Sequence, residues 1–458
     1  MPEREVDLVV VGTGPGGESL ALESAGAGLE VVAIDKHLVG GECPYYACIP
    51  TKMMLRAADT LAEAQRAGRL AGEVSVTPAW APVARRLSEE ATDGWSDKAA
   101  VERLEDAGAT VHHGVGRLDG ERRVTVTPTD GSGPITYRAR RAVVLNPGTR
   151  PAELPVEGLA GTPYWTNREA VRATELPGSL IVLGGGPVGA ELTQVFARFG
   201  VEVTVVQQAD RLLPHDEPEA SALLAEVFAR DGVQVVTRAE VTRVEHDSGF
   251  TLTLADGDRL HADQLLVAAG RVPNLDDLGL DTIGLAADRI FVDDRMRAAG
   301  VDGGWLYVIG DVAGHGAFTH LSMYQSAVAG RDLRGEEGPP AAYHAVPHVT
   351  FTDPEVAGVG LTEAAAREAG LRVRTGSADW GSRAFTHGPG AEGFVKVVVD
   401  ADRDVLVGAT AVGPYAGEVL SMLTLAVHAA LPVDTLRSMI YAYPTFHRAV
   451  ATALADLD

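Results

Sequence analysis

Two stretches of the chain share one pattern of apolar runs, glycine-rich turns and helical periodicity. In the first, residues 6–11 predict a buried strand, 12–17 a turn and the residues up to Ala27 a helix, before a second strand at 31–34 that ends at Asp35. Short apolar runs that alternate with helices are typical of parallel strands covered on both faces. The pattern therefore predicts a nucleotide-binding βαβ unit.

The same order returns about 170 residues later. Residues 179–183 predict a strand and 184–189 a turn, and the helix that follows reaches about Phe199 before a strand at 201–206. We interpret the pair of βαβ units as an internal duplication at the scale of a whole domain.

The remaining segments complete the predicted fold. Residues 51–110 predict mostly long amphipathic helices, 111–145 short strands, and 331–342 a polar linker that contains glycine and proline. Beyond the linker we expect an α+β unit with strands near 347–351, 356–360, 393–399 and 405–413 and a helix over 416–430. The predicted fold class is α/β, with two Rossmann-like domains and a C-terminal α+β domain.

The first turn suits a dinucleotide. Gly12, Gly14 and Gly17 permit a tight turn and let the backbone approach a pyrophosphate at a helix N-terminus. Asp35 is placed to accept hydrogen bonds from ribose hydroxyls. A glycine-rich turn alone is weak evidence, but the flanking strands, the helix and the terminal acid make it specific.

The second turn offers Gly184, Gly186 and Gly189 in the same arrangement, but its strand is followed by Gln207 rather than by an acid. An acidic residue there would repel a 2′-phosphate, and an arginine would bind one. Arg211 is near enough in sequence to reach a phosphate, although an ordinary solvated position explains it nearly as well. The sequence leans towards NADPH, with NADH or dual use as alternatives.

The composition limits the classes of partner that we expect for this protein. The 458 residues carry a formal net charge of −24, which repels nucleic-acid phosphates and anionic lipid. The sequence shows neither the basic and apolar pattern of a signal peptide nor an apolar run of about 18 residues that could span a membrane. Because two cysteines cannot stabilise a secreted protein of this length, we expect a cytoplasmic protein without nucleic-acid or membrane partners.

Cys43 and Cys48 lie five residues apart, shortly after the first βαβ unit. On an ideal helix their α-carbons would be roughly 7.5 Å apart along the axis, beyond the usual disulfide range, so we expect a distorted helix start. A helix N-terminus lowers the pKa of a thiol and favours its reactivity. Two inert thiols or a metal-binding pair are the alternatives to a redox-active pair. With no second ligand pair at zinc-like spacing, we predict no metal.

These motifs resemble those of the class I pyridine nucleotide-disulfide oxidoreductases, which include lipoamide dehydrogenase, glutathione, mycothione and mercuric reductases, and soluble transhydrogenase. The family's redox motif is similar to residues 40–52, and its second flavin motif to Gly310 and Asp311. The segment that closes its pyridine nucleotide domain is similar to 267–274, and the start of its interface domain to 351–363. The resemblance covers essentially the whole chain.

The resemblance implies a homodimeric oxidoreductase of three domains. It places FAD in residues 1–150 and 272–335, NAD(P)H in 151–271, and dimerisation in 342–458. Electrons would pass from the nicotinamide through the flavin to a Cys43–Cys48 disulfide and on to a small acceptor.

The resemblance also implies roles for single residues. Cys48 would be the thiolate nearer the flavin, and Cys43 the thiol that attacks the substrate. Lys52 would lie near flavin N5, paired with Glu191. Asp311 would bind the ribityl chain. The other cofactor-binding glycines on this interpretation are Gly148, Gly270 and Gly310.

The C-terminal segment departs from the family pattern. Disulfide-reducing members carry a His-Pro with a glutamate four residues beyond the proline, and this histidine is the acid and base for thiol exchange. Here Tyr443 replaces the histidine and Arg448 replaces the glutamate. Because tyrosine side chains ordinarily titrate near pH ~10, either Arg448 must assist Tyr443 or His447 must serve instead. His447 is otherwise an ordinary surface or interface residue.

These observations predict an enzyme that keeps the dithiol and lacks the usual base. Our first hypothesis is an FAD-dependent NAD(P)H oxidoreductase whose acceptor is an activated disulfide, a metal ion or a quinone. The alternatives are direct flavin chemistry, as a diaphorase or transhydrogenase with bystander cysteines, and dihydrolipoamide dehydrogenase activity. The intact Lys52, Glu191 and cysteine pair argue against a non-catalytic protein that keeps FAD structurally.

Overall fold

The structure is a computed structural model that describes residues 3–381 and 383–457, and it divides into two units. Unit 1 comprises the chain up to Pro50, Ser88–Ala152 and Arg271–Tyr343, and unit 2 comprises Thr51–Leu87, Glu153–Gly270 and the chain from His344 onward. Each unit is therefore built from three separate segments. The three domain ranges expected from the sequence stay a prediction.

Strands and helices alternate along most of the described chain. The strands are β1 (Glu3–Val11), β2 (Val31–Asp35), β3 (Thr110–Leu118), β4 (Arg123–Pro128), β5 (Ile135–Leu145), β6 (Thr149–Pro151), β7 (Ser179–Leu183), β8 (Glu202–Val206), β9 (Gln234–Val236), β10 (Val241–His246), β11 (Phe250–Leu254), β12 (Arg259–Ala262), β13 (Gln264–Val267), β14 (Arg271–Pro273), β15 (Leu306–Val308), β16 (Pro347–Thr350), β17 (Glu355–Gly360), β18 (Val373–Asp379), β19 (Phe394–Asp400) and β20 (Val405–Gly413).

The α-helices of the same residues are α1 (Pro15–Gly26), α2 (Glu42–Tyr45), α3 (Cys48–Ala67), α4 (Ala81–Arg86), α5 (Lys98–Asp106), α6 (Asn167–Arg172), α7 (Pro187–Arg198), α8 (Pro218–Arg230), α9 (Thr319–Arg334), α10 (Glu363–Glu368), α11 (Ala416–His428), α12 (Val433–Arg437) and α13 (His447–Ala455). A π-helix spans Leu87–Ala91, and single 3₁₀ turns lie at Leu280–Ile283, Asp302–Gly304, Gly310–Ala313 and Ala384–Thr386.

The central sheet of unit 1 contains the strands that the sequence predicted at 6–11, 31–34 and within 111–145, together with β15, which was missed. β1 lies between β2 and β5 and runs parallel to both, with Leu8 opposite Val31 and Ala142. β15 extends the parallel part beyond β5, and β4 pairs antiparallel with β3 and β5. Side chains on both faces of this sheet are buried, which explains why its strands are continuous apolar runs. The carboxyl ends of β1 and β2 therefore meet at one edge.

Unit 2 contains a parallel sheet in the order β13–β7–β8–β9 and an antiparallel sheet of β10, β11 and β12. In the parallel sheet Leu180 lies opposite Val203 and Gln264. The third sheet has the order β16–β17–β20–β19–β18 and is antiparallel. Helices α11 and α13 pack on it around a core that includes Leu423 and Val450.

The fold class predicted from the sequence is confirmed, while several elements need correction. β18 was missed because its residues are mostly small or polar, which hides the alternation of a strand. The short helices α10, α12 and α13 were also missed. The predicted linker over 331–342 begins later, because α9 continues to Arg334 and ends at Gly335, whose φ is +71°. The predicted helices of 51–110 are interrupted at 68–79, which forms neither helix nor strand.

Candidate active site

The first glycine-rich turn joins β1 to α1 and has the backbone that a dinucleotide cradle needs. Gly12 has a φ of +90°, and a Cβ on it would lie 2.2 Å from the carbonyl oxygen of Asn146. A Cβ on Gly17 would lie 2.2 Å from the carbonyl oxygen of Gly12, so only glycine lets α1 begin this close to the strand. Gly14 is the N-cap residue of α1, so the positive end of that helix dipole lies at this turn and is available to an anion.

Asp35 lies at the end of β2, beside this turn. Its Oδ2 accepts hydrogen bonds from the backbone N–H and the hydroxyl of Thr13, both at 2.8 Å, and its Oδ1 accepts one from the His37 N–H at 2.8 Å. These bonds fix the carboxylate in one orientation. Oδ1, which accepts a single hydrogen bond, keeps lone-pair capacity for a ribose hydroxyl.

A second acidic group of unit 1 is held in a similar way. Asp311 lies in the single helical turn after β15, and its Oδ2 accepts a hydrogen bond of 2.7 Å from the Thr149 hydroxyl. The Thr149 oxygen in turn accepts a hydrogen bond of 2.7 Å from Arg271 Nε. Gly148 and Gly310, with φ of +66° and +78°, directly precede Thr149 and Asp311 and allow the two turns.

The two cysteines lie on either side of a break between helices. Cys43 is in the one-turn helix α2, Tyr46 ends that turn, and Cys48 is the first residue of α3. The break is of the kind expected from disulfide geometry, and it places Cys48 at a helix N-terminus, where partial positive charge favours a thiolate. Both cysteines are partly buried, and Cys48 Sγ is 3.5 Å from the Thr319 hydroxyl at the start of α9.

Lys52 and Glu191 form an ion pair in unit 2. Lys52 Nζ is 2.6 Å from Glu191 Oε2, and Glu191 Oε1 accepts a hydrogen bond of 2.9 Å from the backbone N–H of Phe351. The ammonium lies 5.0 Å from the centroid of the Phe351 ring. Only 5% of the Glu191 side chain is exposed, against 34% for Lys52. The carboxylate is therefore the fixed member that orients the ammonium.

The second glycine-rich turn, between β7 and α7, has the same construction as the first. Gly184 has a φ of +114°, and a Cβ on Gly189 would lie 1.9 Å from the Gly184 carbonyl oxygen. Gly186 is the N-cap residue of α7, so the N–H groups of that helix end are available in the same way. Gly270, with a φ of +118°, follows β13 in the same unit.

The side chains of Gln207 and Arg211 bond to groups of their own loop. Gln207 is buried; its Oε1 accepts from the Gly185 N–H at 3.2 Å, and its Nε2 donates to the Arg211 carbonyl at 3.3 Å. Arg211 Nη2 donates to the Pro214 carbonyl at 2.8 Å, and Nη1 is 3.3 Å from Asp210. Both side chains satisfy backbone groups of their own loop. The interpretation of Arg211 as a ligand of a 2′-phosphate stays a prediction.

A different arginine lies beside this loop and was missed. Arg238 follows β9 with a φ of +54°, its backbone N–H donates to the Ala209 carbonyl at 2.9 Å, and its side chain is exposed. No local signal in the sequence indicates this position. Only the parallel pairing of β8 with β9 brings the two loops together.

Tyr443 and His447 lie in the segment that leads into α13. Tyr443 is 67% exposed, whereas His447 is the first residue of α13 and is partly buried. The ring of Phe446 stacks on Trp380 with 5.2 Å between the centroids, which anchors the segment to the antiparallel sheet. Arg448 is exposed. Tyr443 is therefore the accessible member of the predicted pair of acid–base candidates.

Three polar residues that hold the unit 1 site were not predicted, namely Thr13, Asn146 and Thr149. The Asn146 amide, oriented as its partners require, accepts from the Gly17 N–H and donates to the Ile309 carbonyl, each at 3.2 Å. A polar residue within two positions of the end of an apolar strand is a signal that could have revealed Asn146 and Thr13. Such residues satisfy backbone groups where a strand turns into a loop.

Two features are absent from residues 3–381 and 383–457. No three His, Cys, Asp or Glu side chains lie close enough there to hold a metal ion. No helix in this range is both long enough and apolar enough for a membrane crossing.

Two family models match the chain. The one described as "Pyridine nucleotide-disulphide oxidoreductase" matches residues 6–347, and the one described as "Pyridine nucleotide-disulphide oxidoreductase, dimerisation domain" matches residues 346–454. The second range contains the antiparallel sheet of β16 to β20 and the helices packed on it.

Relatives of this chain match it over nearly its full length. The "Dihydrolipoyl dehydrogenase" of Thermus scotoductus is 34% identical over 473 residues, covering 99% of this chain and 98% of the relative. That of Halobacterium salinarum is 34% identical, with 98% and 95% covered.

Solved structures match to a similar extent. The Cu(II) complex of the HOCl-induced flavoprotein disulfide reductase RclA from Escherichia coli has a TM-score of 0.86 at 25% identity, with 99% of both chains covered. LpdA from Mycobacterium tuberculosis also has a TM-score of 0.86, at 27% identity, with 98% of this chain and 99% of LpdA covered.

Proposed function

The chain belongs to the pyridine nucleotide-disulphide oxidoreductase family, and we propose that it reduces an oxidised metal ion, with Cu(II) the first candidate, through its Cys43–Cys48 pair. As a member of this family it is an enzyme that uses FAD and NAD(P)H. One observation carries the proposal. A cysteine pair at the start of α3 is retained in a chain whose C-terminal segment has Tyr443 where a histidine is expected.

The residues of unit 1 fit FAD. The close backbone approach at Gly12 and Gly17 leaves the start of α1 open to a pyrophosphate, and Asp35 and Asp311 are oriented acceptors for hydroxyl groups. FAD, when bound, supplies the two-electron carrier between the nicotinamide and the cysteine disulfide. In unit 2, Lys52 would contribute one positive charge that Glu191 holds in place.

The C-terminal segment favours an acceptor that needs no proton. Reduction of an ordinary disulfide releases a thiolate, and a nearby acid speeds the exchange by protonating it. In this chain Tyr443 and Arg448 occupy the positions of that acid and of the carboxylate that would orient it. A metal ion that takes up electrons alone places no such demand on the protein.

The electrons balance for Cu(II). Two Cu(II) ions each gain one electron and become Cu(I). The dithiol of Cys43 and Cys48 loses two electrons and two protons as the S–S bond forms. Thiolate sulfur is a ligand for copper, so the reduced pair could hold Cu(II) before electron transfer, and the disulfide that forms would release the Cu(I). The RclA structure is described as a Cu(II) complex, and the likeness at 25% identity supports this choice of acceptor.

Dihydrolipoamide is the second candidate, because the curated relatives at 34% identity are dihydrolipoyl dehydrogenases. The replacement of the histidine by Tyr443 argues against it. Direct reduction of a quinone at the flavin, with the cysteines as bystanders, is the remaining alternative.

We further propose a homodimer, since residues 346–454 match the family's dimerisation domain. The exposed Tyr443 would then be contributed to the cysteine pair of the other subunit. This arrangement would explain why a large aromatic side chain is 67% exposed in the single chain.

The test compares wild-type holoenzyme with Cys43→Ser and Cys48→Ser under anaerobic conditions, with NADPH and with NADH as donors. Cu(II) is the acceptor, and a chelator specific for Cu(I) reports its reduction. We expect each serine variant to lose about 10-fold or more in kcat/KM for Cu(II). Quinone reduction, which can proceed at the flavin itself, should change little.

The outcomes separate the three candidates. Full Cu(II) reduction by both serine variants would refute the dithiol route and favour direct flavin chemistry. Oxidation of dihydrolipoamide by NAD⁺ with a higher kcat/KM than Cu(II) reduction would favour the second candidate. Assays without enzyme, and with enzyme lacking NAD(P)H, control for copper reduced by buffer or by thiols alone.

A further inference from the structure

An unusual backbone segment of unit 1 lies next to the cysteine loop. Three consecutive residues, Asp93, Gly94 and Trp95, have φ of +48°, +67° and +59°, all in the left-handed region. This conformation is unfavourable for a bulky residue such as tryptophan and persists only where surrounding contacts hold it. The segment follows the π-helix Leu87–Ala91, a rare element that is frequent at functional sites.

The contacts of this segment are with the loop that carries Cys43. Trp95 Nε1 donates a hydrogen bond of 3.2 Å to the carbonyl oxygen of Tyr45, which lies between the two cysteines. Asp97 Oδ2 accepts a hydrogen bond of 2.8 Å from the Val39 N–H, upstream of Cys43. The segment therefore holds the loop on both sides of Cys43. We call residues 92–97 the clamp.

The loop is also closed on itself. The Tyr45 hydroxyl donates to the Val39 carbonyl at 2.9 Å, and both side chains are buried. Burial raises the pKa of Tyr45 to about 12, so the hydroxyl stays a donor at neutral pH. This bond links Tyr45, which Trp95 contacts, with Val39, which Asp97 contacts. The clamp and the loop therefore form one connected network.

The opposite side of the loop contacts the first glycine-rich turn. The Gly40 N–H donates to the Thr13 carbonyl at 2.8 Å, and a Cβ on Gly41 would lie 2.8 Å from the Gly14 Cα. The backbone that leads to Cys43 is thus held between the clamp and the nucleotide turn. Thr13 is also the residue that orients Asp35.

We propose that Trp95 and Asp97 are positioning residues that stabilise the Cys43–Cys48 disulfide by restricting the chain on both sides of Cys43. The stability of a disulfide depends on the effective concentration of one thiol at the other, which falls as the intervening chain gains freedom. A clamp on Val39 and Tyr45 keeps that freedom low. The proposal rests on the dithiol function proposed above, and it makes the clamp a determinant of the redox potential of the pair.

The experiment measures the thiol–disulfide equilibrium directly, without any acceptor. Holoenzyme is equilibrated anaerobically in buffers of reduced and oxidised dithiothreitol, thiols are trapped with iodoacetamide, and the fraction of the Cys43–Cys48 disulfide is measured by mass spectrometry. Each disulfide formed consumes one oxidised dithiothreitol and yields one reduced molecule. We expect Trp95→Phe to shift this equilibrium about 2- to 10-fold towards the dithiol, because the loop gains freedom without this hydrogen bond and the effective concentration of one thiol at the other falls.

A matched control is present in the same chain. Trp80 Nε1 donates to the Ala173 carbonyl at 2.7 Å in unit 2, so Trp80→Phe loses a bond of the same type away from the cysteines. Its thiol–disulfide equilibrium should equal that of wild type. Tyr45→Phe, which removes the bond to Val39, should shift the equilibrium in the same direction as Trp95→Phe and serves if that variant folds poorly.

The experiment distinguishes a failure of the clamp proposal from a failure of the proposed dithiol function. If Trp95→Phe and Tyr45→Phe bind FAD normally and match wild type in this equilibrium, the clamp is refuted and the dithiol function is untouched. If wild type forms no Cys43–Cys48 disulfide at any ratio of oxidised to reduced dithiothreitol, the proposed function itself fails. If Trp80→Phe shifts the thiol–disulfide equilibrium as much as Trp95→Phe does, loss of any indole hydrogen bond changes this equilibrium, and the clamp is refuted as well.

Discussion

At the scale of single residues, Asp35 and Glu191 of the candidate site have two partners each, so their orientation does not depend on a single bond. Glu191 is the clearest case, because one oxygen pairs with Lys52 and the other accepts from the Phe351 N–H. With 5% of its side chain exposed, it has little access to water as a replacement partner. Removing the Glu191 carboxylate would therefore take away the charge that pairs with Lys52 and the acceptor of the Phe351 N–H.

We expect Glu191→Ala to lower the free energy of unfolding by about 1–3 kcal/mol more than Glu191→Gln. Glutamine keeps a carbonyl oxygen for the Phe351 N–H, whereas alanine leaves that donor without a partner. Both variants lose the charge that holds Lys52. Unfolding of the two holoenzymes under identical conditions measures the difference, and equal destabilisation would contradict the second role of Glu191.

At the scale of elements, helices of unit 2 are joined by a network around one arginine. Arg198, near the end of α7, lies 2.8 Å from Asp59 on α3, 2.8 Å from Asp353 and 3.3 Å from Asp231 after α8. Its side chain is only 6% exposed, and Arg66 of α3 also pairs with Asp353. Burial raises the pKa of Asp59 to about 6, in spite of the opposing charge of Arg198. At neutral pH Asp59 is therefore ionised, although its buried surroundings favour the protonated carboxyl group.

This pKa predicts a pH dependence of stability. The folded state binds the Asp59 proton more tightly than the unfolded state, whose pKa is ordinarily about 3.9, so stability is present below that pH and is lost as pH rises through about 6. Asp59→Asn does not titrate, and its stability relative to wild type should rise between about pH 4 and pH 7.

The expected size of this gain is under about 2 kcal/mol, because 34% of the Asp59 side chain is exposed to solvent. Thermal unfolding of wild type and Asp59→Asn at several pH values measures it, and all other titrating groups cancel in the comparison. A stability difference that stays constant from pH 4 to pH 7 would show that Asp59 does not carry the raised pKa.

At the scale of the whole molecule, large apolar side chains are exposed on the segment before α13. Ile440 is 99% exposed and Tyr443 67% exposed, and both lie in the range that matches the dimerisation domain. Leu425 on α11 is 60% exposed in the same range. Apolar side chains grouped in this way are typical of a surface that another chain covers.

Ile440→Asp should weaken self-association by about 10-fold or more, because a charge would enter an apolar part of the proposed contact. Folding of the single chain should be unaffected, since Ile440 is almost wholly exposed there. Leu70→Asp is the matched control, with 66% exposure outside the matched dimerisation range. Sedimentation velocity over a range of concentrations measures the self-association of both variants. If Ile440→Asp and Leu70→Asp give the same profiles, Ile440 is not part of the contact.

The local features of this protein could be predicted from the sequence because they depend on neighbouring residues. The turns at Gly12–Gly17 and Gly184–Gly189 need a small residue and an adjacent helix start, and both requirements are visible in a short window. The break between Cys43 and Cys48 was expected from the reach of a disulfide alone. The fold class followed from the repeated βαβ pattern, while β18 escaped because its residues carry little apolar signal.

The sequence by itself thus determined the two nucleotide turns, the position of the cysteine pair and the α/β class, and its motifs implied the pairing of Lys52 with Glu191 through resemblance. Only the tertiary structure decided which side chains from distant parts of the chain form hydrogen bonds to the residues of the candidate site. Trp95 contacts the Tyr45 carbonyl across 50 residues, and Thr149 contacts Asp311 across 162. Turns and helix starts are set by local backbone conformation, whereas a buried donor bonds whichever acceptor packing brings within reach, and packing depends on the whole chain.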